Sequence, residues 1–256
     1  MAAQTAVITG ATSGIGAAFA DILAARGYDL LLSGRREEKI SSLASRLRLD
    51  HGGVVRIVLA ELSVESDVNR LIAEIRTLPD VSILINNAGF GAVGSFSEHP
   101  SRHHRMLAVH VICPVRLIEA VLPSMKSHRA GSIINVSSVA SYFPMPTGAT
   151  YSATKRYLCV FSESLHMELK PYGIHVQALC PGMTRTDFHS RSDEGKSIAR
   201  KNVLGWMDPA TVARRSLKHI SGNRVVYVPG LVNKFLVRFV SHLPRWLYYR
   251  IAEKAL

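Results

Sequence analysis

Three glycines near the amino terminus constrain this chain most. Thr5-Ala-Val-Ile-Thr9 leads into Gly10-Ala-Thr-Ser-Gly14-Ile-Gly16, and an apolar-periodic run continues through Ala25. That order reads as a short β-branched strand, a tight turn and an amphipathic helix, the opening of a dinucleotide-binding βαβ unit. Glycines at 10, 14 and 16 permit the turn and let backbone N–H groups approach a pyrophosphate, whose charge the helix amino terminus favours. The spacing is Gly-x-x-x-Gly-x-Gly rather than the more general Gly-x-Gly-x-x-Gly. Alone, the segment also fits a merely flexible glycine turn.

The pattern downstream continues as strand, helix, strand. Strands are predicted near 5–9, 28–33, 54–60, 81–86, 131–137, 173–180 and 224–228, and helices at about 15–26, 36–49, 65–77, 101–127, 151–170 and 209–219. Asp29-Leu-Leu-Leu-Ser33 and Val81-Ser-Ile-Leu-Ile85 are mostly apolar without strict alternation, as a parallel sheet covered on both faces requires. No repeat, low-complexity tract or linker interrupts the chain. The expectation is a single-domain α/β fold, a Rossmann-type doubly wound parallel sheet with helices on both faces. It would span residues 1–231, with a basic amphipathic extension over 232–256. A length of 256 residues and a hydrophobic content of 47% supply one packed core. Cys113, Cys159 and Cys180 are widely spaced and apolar-flanked, so they read as buried reduced thiols rather than a disulfide framework or metal site. The first strand begins at about Thr5, leaving no room for a signal peptide. No uninterrupted apolar run reaches the roughly 18 residues of a spanning helix. A cytoplasmic protein is expected.

Chemistry is concentrated in Tyr151-Ser-Ala-Thr-Lys155 and in Ser138, thirteen residues upstream of Tyr151. On a helix, Tyr151 and Lys155 project from one face. A lysine charge within a few ångströms can pull a tyrosine pKa down from about 10 by roughly 1–3, making the phenol an acid or base near neutral pH. Ser138 can hydrogen-bond to the same carbonyl oxygen and fix its position.

Taken together, the chain resembles the short-chain dehydrogenase/reductase family over roughly residues 5 to 230. The resemblance rests on Thr9-Gly10-Ala-Thr-Ser-Gly14-Ile-Gly16, Asn86-Asn87-Ala88-Gly89, Ser138, Tyr151-x-x-x-Lys155 and Pro181-Gly182, in the family's order and spacing. It implies that Tyr151 is the catalytic acid/base and that Ser138 orients the substrate carbonyl. Lys155 would bind the nicotinamide ribose while acidifying Tyr151. It further implies that Asn87, Ala88 and Gly89 lie along the adenine side. Pro181, Gly182, Thr184 and Thr186 would hold the nicotinamide carboxamide, and Gly10, Thr12, Ser13, Gly14, Ile15 and Gly16 would line the phosphates. Homodimers or homotetramers are the implied assemblies.

Cofactor choice is set after the second strand, at Ser33-Gly34-Arg35-Arg36. A chain selecting the unphosphorylated dinucleotide usually places a carboxylate there; this one has two arginines. Arg35 is well placed to meet a 2′-phosphate, helped by Ser13, Gly34 and Arg36. A hydrogen bond to a charged group contributes roughly 1.5–3 kcal/mol. Positive charge at a helix start opposes the helix dipole, which argues against two merely solvated arginines. NADP(H) is the expected cofactor.

Two positions depart from the family pattern. Glu61-Leu62 stands where the family commonly has aspartate contacting adenine, and Glu61 can still accept the adenine amino hydrogen bond. His110 stands where the family's fourth catalytic residue is asparagine, whose backbone carbonyl helps hold a water joining the lysine to solvent. His110 either joins the proton relay by titrating near neutral pH or packs as a neutral, hydrogen-bonded histidine. His99 and His103 have helical ligand spacing, but no further ligand is evident nearby, so no metal is expected.

By resemblance, substrate faces Val139–Thr150 and the segment from Thr186 to Trp206. Tyr142, Phe143, Pro144, Met145 and Pro146 make an apolar wall suited to an aliphatic or aromatic carbonyl compound, or ordinary packing. The polar, glycine-containing second segment suits a lid. In the tail, Leu236, Phe239, Val240 and Leu243 form one stripe with Lys234, Arg238 and His242 largely opposite, and Pro244-Arg-Trp246-Leu-Tyr-Tyr-Arg250 follows. It could pack at a subunit interface, cover the cleft, or lie on an anionic membrane, an option the net charge of +12 favours. No recognition motif accompanies that charge, so nucleic acid is not an expected partner. The expected function is NADPH-dependent reduction of a hydrophobic ketone, or oxidation of the secondary alcohol. A membrane-peripheral 3-oxoacyl, lipid or steroid reductase and a non-catalytic dinucleotide-sensing scaffold are the alternatives. The complete Ser138, Tyr151 and Lys155 set argues against the scaffold.

Overall fold

Seven strands, β1 (Thr5–Thr9), β2 (Asp29–Gly34), β3 (Val55–Leu59), β4 (Val81–Asn86), β5 (Gly131–Val136), β6 (Ile174–Leu179) and β7 (Val226–Tyr227), form one parallel sheet. Their order is β3-β2-β1-β4-β5-β6-β7. The structure is a computed structural model and describes residues 4–91, 96–98, 100–188, 205–220, 222 and 224–253. The helices are α1 (Gly14–Ala24), α2 (Glu37–His51), α3 (Glu65–Arg76), α4 (Pro100–Leu107), α5 (Cys113–His128), α6 (Ala149–Leu169), α7 (Pro209–His219), α8 (Leu231–His242) and α9 (Arg245–Glu253).

The apolar strands feed two cores at once. Ala6, Ile8, Leu30, Leu32, Ile83, Ile85 and Ile134 face a core completed by Phe19, Leu23, Ile40, Leu47, Val212 and Leu217 from α1, α2 and α7. Val7, Leu31, Leu84 and Ile133 face the other, completed by Leu71, Ile75, Leu117, Val121, Leu165 and Leu169 from α3, α5 and α6. Successive side chains point to opposite faces, so a strand covered on both sides must be apolar throughout. The doubly wound expectation is met, and the strand order reverses between β1 and β4. A crevice at the carboxyl ends of these two strands is where open α/β sheets bind ligands.

The expected helix over 101–127 is interrupted. Between α4 and α5 the chain makes a π-helical turn over Ala108–Ile112. Pro114 has no N–H to donate to the carbonyl four residues back, that of His110, and its ring crowds that carbonyl. A turn wider by one residue is the local solution. By length and composition alone, Pro100–His128 could cross a membrane, with a mean hydropathy of 1.7 in its most apolar window. Here Met106, Val109, Leu117, Ile118, Val121 and Met125 are buried, so it serves as a core segment.

Candidate active site

The glycine turn lies at the carboxyl end of β1, on the crevice. Gly10 and Gly14 have φ of +66° and +60°, a region that costs a side chain strain. Gly16 is held by close approach: a Cβ there would lie 2.5 Å from the Gly10 carbonyl oxygen and from Asn87 Nδ2. Asn87 Nδ2 donates to the carbonyls of Thr9 (3.0 Å) and Gly10 (3.1 Å). The amides of Asn87 and Ala88 donate to Thr9 Oγ1. The turn and the Asn87-Ala88-Gly89 segment thus fix each other. At the start of α1, Ser13 makes no capping hydrogen bond, and the first turn has no acidic residue. Donors and positive helix end are left for an anion, so a dinucleotide pyrophosphate fits this cradle. Thr12 and Ile15 border it, Ile15 also packing on the first core.

Arg35 and Arg36 diverge. Arg35 Nη1 pairs with Glu61 Oε2 at 2.6 Å, and Arg105 approaches the same oxygen at 3.5 Å. Burial raises the Glu61 pKa, but hydrogen bonds from Arg35 and Ser63 outweigh it and hold the carboxyl below its usual value. Leu62 points into the second core. Arg36 instead crosses the glycine turn, donating to Thr12 Oγ1 (2.8 Å) and Ser13 Oγ (2.7 Å) and pairing with Asp187 at 3.0 Å. Lys39 meets the same Asp187 oxygen at 3.2 Å. Arg36, rather than Arg35, therefore overlooks the phosphate cradle, and neither Lys39 nor Asp187 was evident as a contributor from sequence.

Ser138, Tyr151 and Lys155 converge from the turn after β5 and from α6. Ser138 opens a 3₁₀ turn over Val139–Tyr142, its Oγ accepting from the Ala140 amide at 3.1 Å. Tyr151 and Lys155 share one face of α6. Lys155 is buried and its Nζ donates to the Val136 carbonyl at 2.8 Å. Ser137 Oγ donates to the Lys155 carbonyl at 2.7 Å. Burial lowers the Lys155 pKa to about 8. The Tyr151 phenol departs from expectation: burial pushes it up, and the Ser138 hydrogen bond only partly opposes this. The lysine ammonium sits 5.8 Å from the tyrosine ring centroid and is engaged by Val136. Desolvation of the phenolate therefore sets the direction of the shift.

Aromatic groups wall the phenol. The His110 ring lies 5.9 Å from that of Tyr151 edge-on, and Phe188 lies 6.1 Å away on another side. Phe188 was not recognised from sequence; its position two residues after Thr186 is the available signal. His110 is buried on the π turn, with Nε2 accepting from the Phe90 amide at 3.1 Å. Its proton is therefore assigned to Nδ1, which donates to Thr154 Oγ1 at 3.1 Å, and Thr154 passes a hydrogen bond to the Tyr151 carbonyl. Burial, then the Lys155 charge, hold its pKa well below the ordinary histidine value. Gly89 runs close by; a Cβ there would lie 3.0 Å from His110 Nε2.

Across the crevice, the Pro181 carbonyl accepts from Val139 N at 3.0 Å, tying the Pro181-Gly182 segment to the serine turn. Thr184 Oγ1 donates to the Gly182 carbonyl, and Thr186 packs its methyl where a Gly14 Cβ would be. Gly182 is required by α8: a Cβ there would lie 2.2 Å from Asn233 Oδ1. Before α6, Thr147 adopts φ +57°, an outlier for a β-branched residue. His103 is engaged by Thr150 Oγ1 (2.9 Å) and the Phe96 carbonyl (3.0 Å), while His99 and residues 189–204 of the expected lid fall outside the described residues. The three thiols are unbridged and buried, with Cys159 and Cys180 sulfurs 3.5 Å apart beside Ser137.

The chain is similar to known proteins in sequence and in fold. The family model for short chain dehydrogenases matches residues 4–197. A very-long-chain 3-oxoacyl-CoA reductase of Macaca fascicularis is 28% identical over 97% of this chain and 78% of its own length. A short-chain dehydrogenase from Sphingobium yanoikuyae, solved with NADPH, superposes with a TM-score of 0.81 at 30% identity, covering 94% of this chain and 97% of its own. A short chain dehydrogenase/reductase from Burkholderia phymatum, solved with NAD, gives 0.82 at 25% identity and 92% coverage of both chains. The family match over residues 4–197 and these structural neighbours make the chain an oxidoreductase of CH–OH and C=O groups using a nicotinamide dinucleotide, and it belongs to the short-chain dehydrogenase family.

Proposed function

We propose that this protein is an NADPH-dependent carbonyl reductase acting on a hydrophobic ketone, with oxidation of the secondary alcohol as the reverse reaction. The convergence of Ser138, Tyr151 and Lys155 beside the glycine cradle carries the proposal. When bound, the dinucleotide supplies the hydride. Tyr151 Oη donates the proton to the developing alkoxide, a role its raised pKa suits, because the phenol stays protonated at neutral pH. Ser138 orients the carbonyl, and the Lys155 ammonium stabilises charge at the phenol. Arg36, with Thr12 and Ser13, supports recognition of a 2′-phosphate, and no carboxylate stands at Gly34 to favour the unphosphorylated ribose. Asp187 holds Arg36 until an incoming phosphate displaces it. Phe143, Pro144 and Met145 support an apolar substrate, as does the 3-oxoacyl relative. Exposed Ile112 on the turn before α5, with Tyr157, Val160 and Met167 on α6, supports a homodimer or homotetramer.

A screen of carbonyl compounds that follows NADPH absorbance tests the reading, with Tyr151→Phe as control. Tyr151→Phe should lose turnover by roughly a hundredfold or more while binding NADPH as the parent does. Turnover retained by the variant at normal NADPH binding would remove Tyr151 from the proton-transfer role.

A further inference from the structure

Two helices at the carboxyl end carry an outward apolar face that no element among the described residues covers. On α8, Asn233 and Val237 face the body and are buried. Leu231, Phe235 and Phe239, spaced four apart, are 83%, 72% and 56% exposed, and Val232 and Leu236 widen the strip. Phe235 and Phe239 stack on each other with ring centroids 6.3 Å apart. On α9, Trp246 (62% exposed), Tyr249 and Ile251 continue the surface. A stripe of aromatic and branched side chains turned to water on a monomer marks an interaction surface.

The charges around it select the partner. Between Leu231 and Glu253 the chain has Lys234, Arg238, Arg245 and Arg250 against one acid, Glu253. On α8, Lys234 and Arg238 border the Leu231–Phe235–Phe239 row. An apolar face flanked by lysine and arginine, with tryptophan and tyrosine at its edge, is the arrangement of a helix lying in the headgroup layer of an anionic membrane. A second copy packed face to face on the same strip would bring like charges together. We infer that α8 and α9 form a docking surface for an anionic lipid bilayer, with Phe235, Phe239 and Trp246 entering the interface and Lys234, Arg238, Arg245 and Arg250 meeting lipid phosphates. The surface adjoins the substrate side of the crevice. The Tyr248 hydroxyl donates to the Pro144 carbonyl at 2.5 Å, and Tyr248 lies 6.4 Å from the Phe143 ring. Docking would thus hold the apolar substrate wall near the bilayer. The lipid contact stands independently of the cofactor and substrate reading.

The test is co-sedimentation of the full chain with vesicles of phosphatidylcholine alone and of phosphatidylcholine mixed with phosphatidylserine. The parent is expected to pellet with the anionic vesicles and much less with the neutral ones. Phe235→Ser with Phe239→Ser should weaken that binding by roughly a hundredfold, with the melting temperature and the solution mass unchanged. A parent that stays in the supernatant with anionic vesicles overturns the inference. So does a double variant that pellets like the parent, or equal binding to both vesicle types. A double variant that halves the solution mass identifies the strip as a contact between copies and overturns it as well.

Discussion

Arg35 and Arg36 are adjacent and chemically alike, yet the fold gives them unlike work. Arg35 is half exposed in a surface pair with Glu61, an interaction contributing about 0–1 kcal/mol. Arg36 is drawn over the phosphate cradle by Thr12 and Ser13. Arg36→Ala should therefore lower the NADPH-over-NADH ratio of kcat/KM by roughly tenfold to a hundredfold, and Arg35→Ala by no more than about fivefold. Asp187→Asn, which frees Arg36 of its internal anion, should shift the ratio toward NADPH. A ratio that collapses in Arg35→Ala and holds in Arg36→Ala would give the leading role to Arg35. The arginine pair and the missing carboxylate were legible in the sequence. Which arginine turns inward was not, because it depends on Glu61, 26 residues from Arg35, and Asp187, 151 residues from Arg36. The direction of the Tyr151 shift was hidden for a similar reason. Spacing showed that a lysine was near, but burial of the phenol comes from the whole assembled crevice.

The elements themselves were largely readable, because unbroken apolar strands and 3.6-residue periodicity report burial directly. The π turn was not. Pro114 was its available sign, but the hydrophobic pattern runs on through Ala108–Ile112 with little visible break. The turn matters because it carries His110. A proline at 114 denies the His110 carbonyl its usual helical donor. The backbone group to which the family resemblance assigns a water-holding role is thereby kept out of the ordinary ladder. The side chain, by contrast, is committed to Phe90 and Thr154 and stays neutral because its pKa lies well below 6.5. His110→Asn is therefore expected to keep turnover within a few-fold of the parent, since asparagine can also accept and donate. The pH profile of kcat should keep its acidic limb, because no group titrating there has been removed. A lost apparent pKa on that limb would show that His110 titrates in the relay after all. The variant's melting temperature should fall by about 2–4 °C, the equivalent of roughly 1 kcal/mol for a chain of this size.

At the scale of the molecule, the helical end of the chain is part of the catalytic body as well as its outer surface. The sequence suggested a boundary near residue 231 because the last strand ends there and the tail turns basic and amphipathic. In the fold, α8 is seated against Gly182, at the carboxyl end of β6. Asn233 Nδ2 donates to the Pro229 carbonyl at 2.9 Å and contacts the Met207 sulfur at 3.6 Å, while its oxygen fills the space left by Gly182. Val237 is buried beside it. Removing residues 231–256 would uncover Gly182, orphan a buried carbonyl and expose apolar surface. Together these cost about 3–5 kcal/mol, or a melting temperature roughly 10 °C lower. Asn233→Ala in the full chain should reproduce part of that loss and weaken NADPH binding, because the segment after Pro181 loses its support, while leaving vesicle binding intact. Phe235→Ser with Phe239→Ser should do the reverse. Thermal melting with and without NADPH, run beside vesicle co-sedimentation, separates the two faces of one helix. If the truncated chain melts at the parent's temperature and binds NADPH as tightly, α8 is a detachable tail and its inner face contributes nothing to the site.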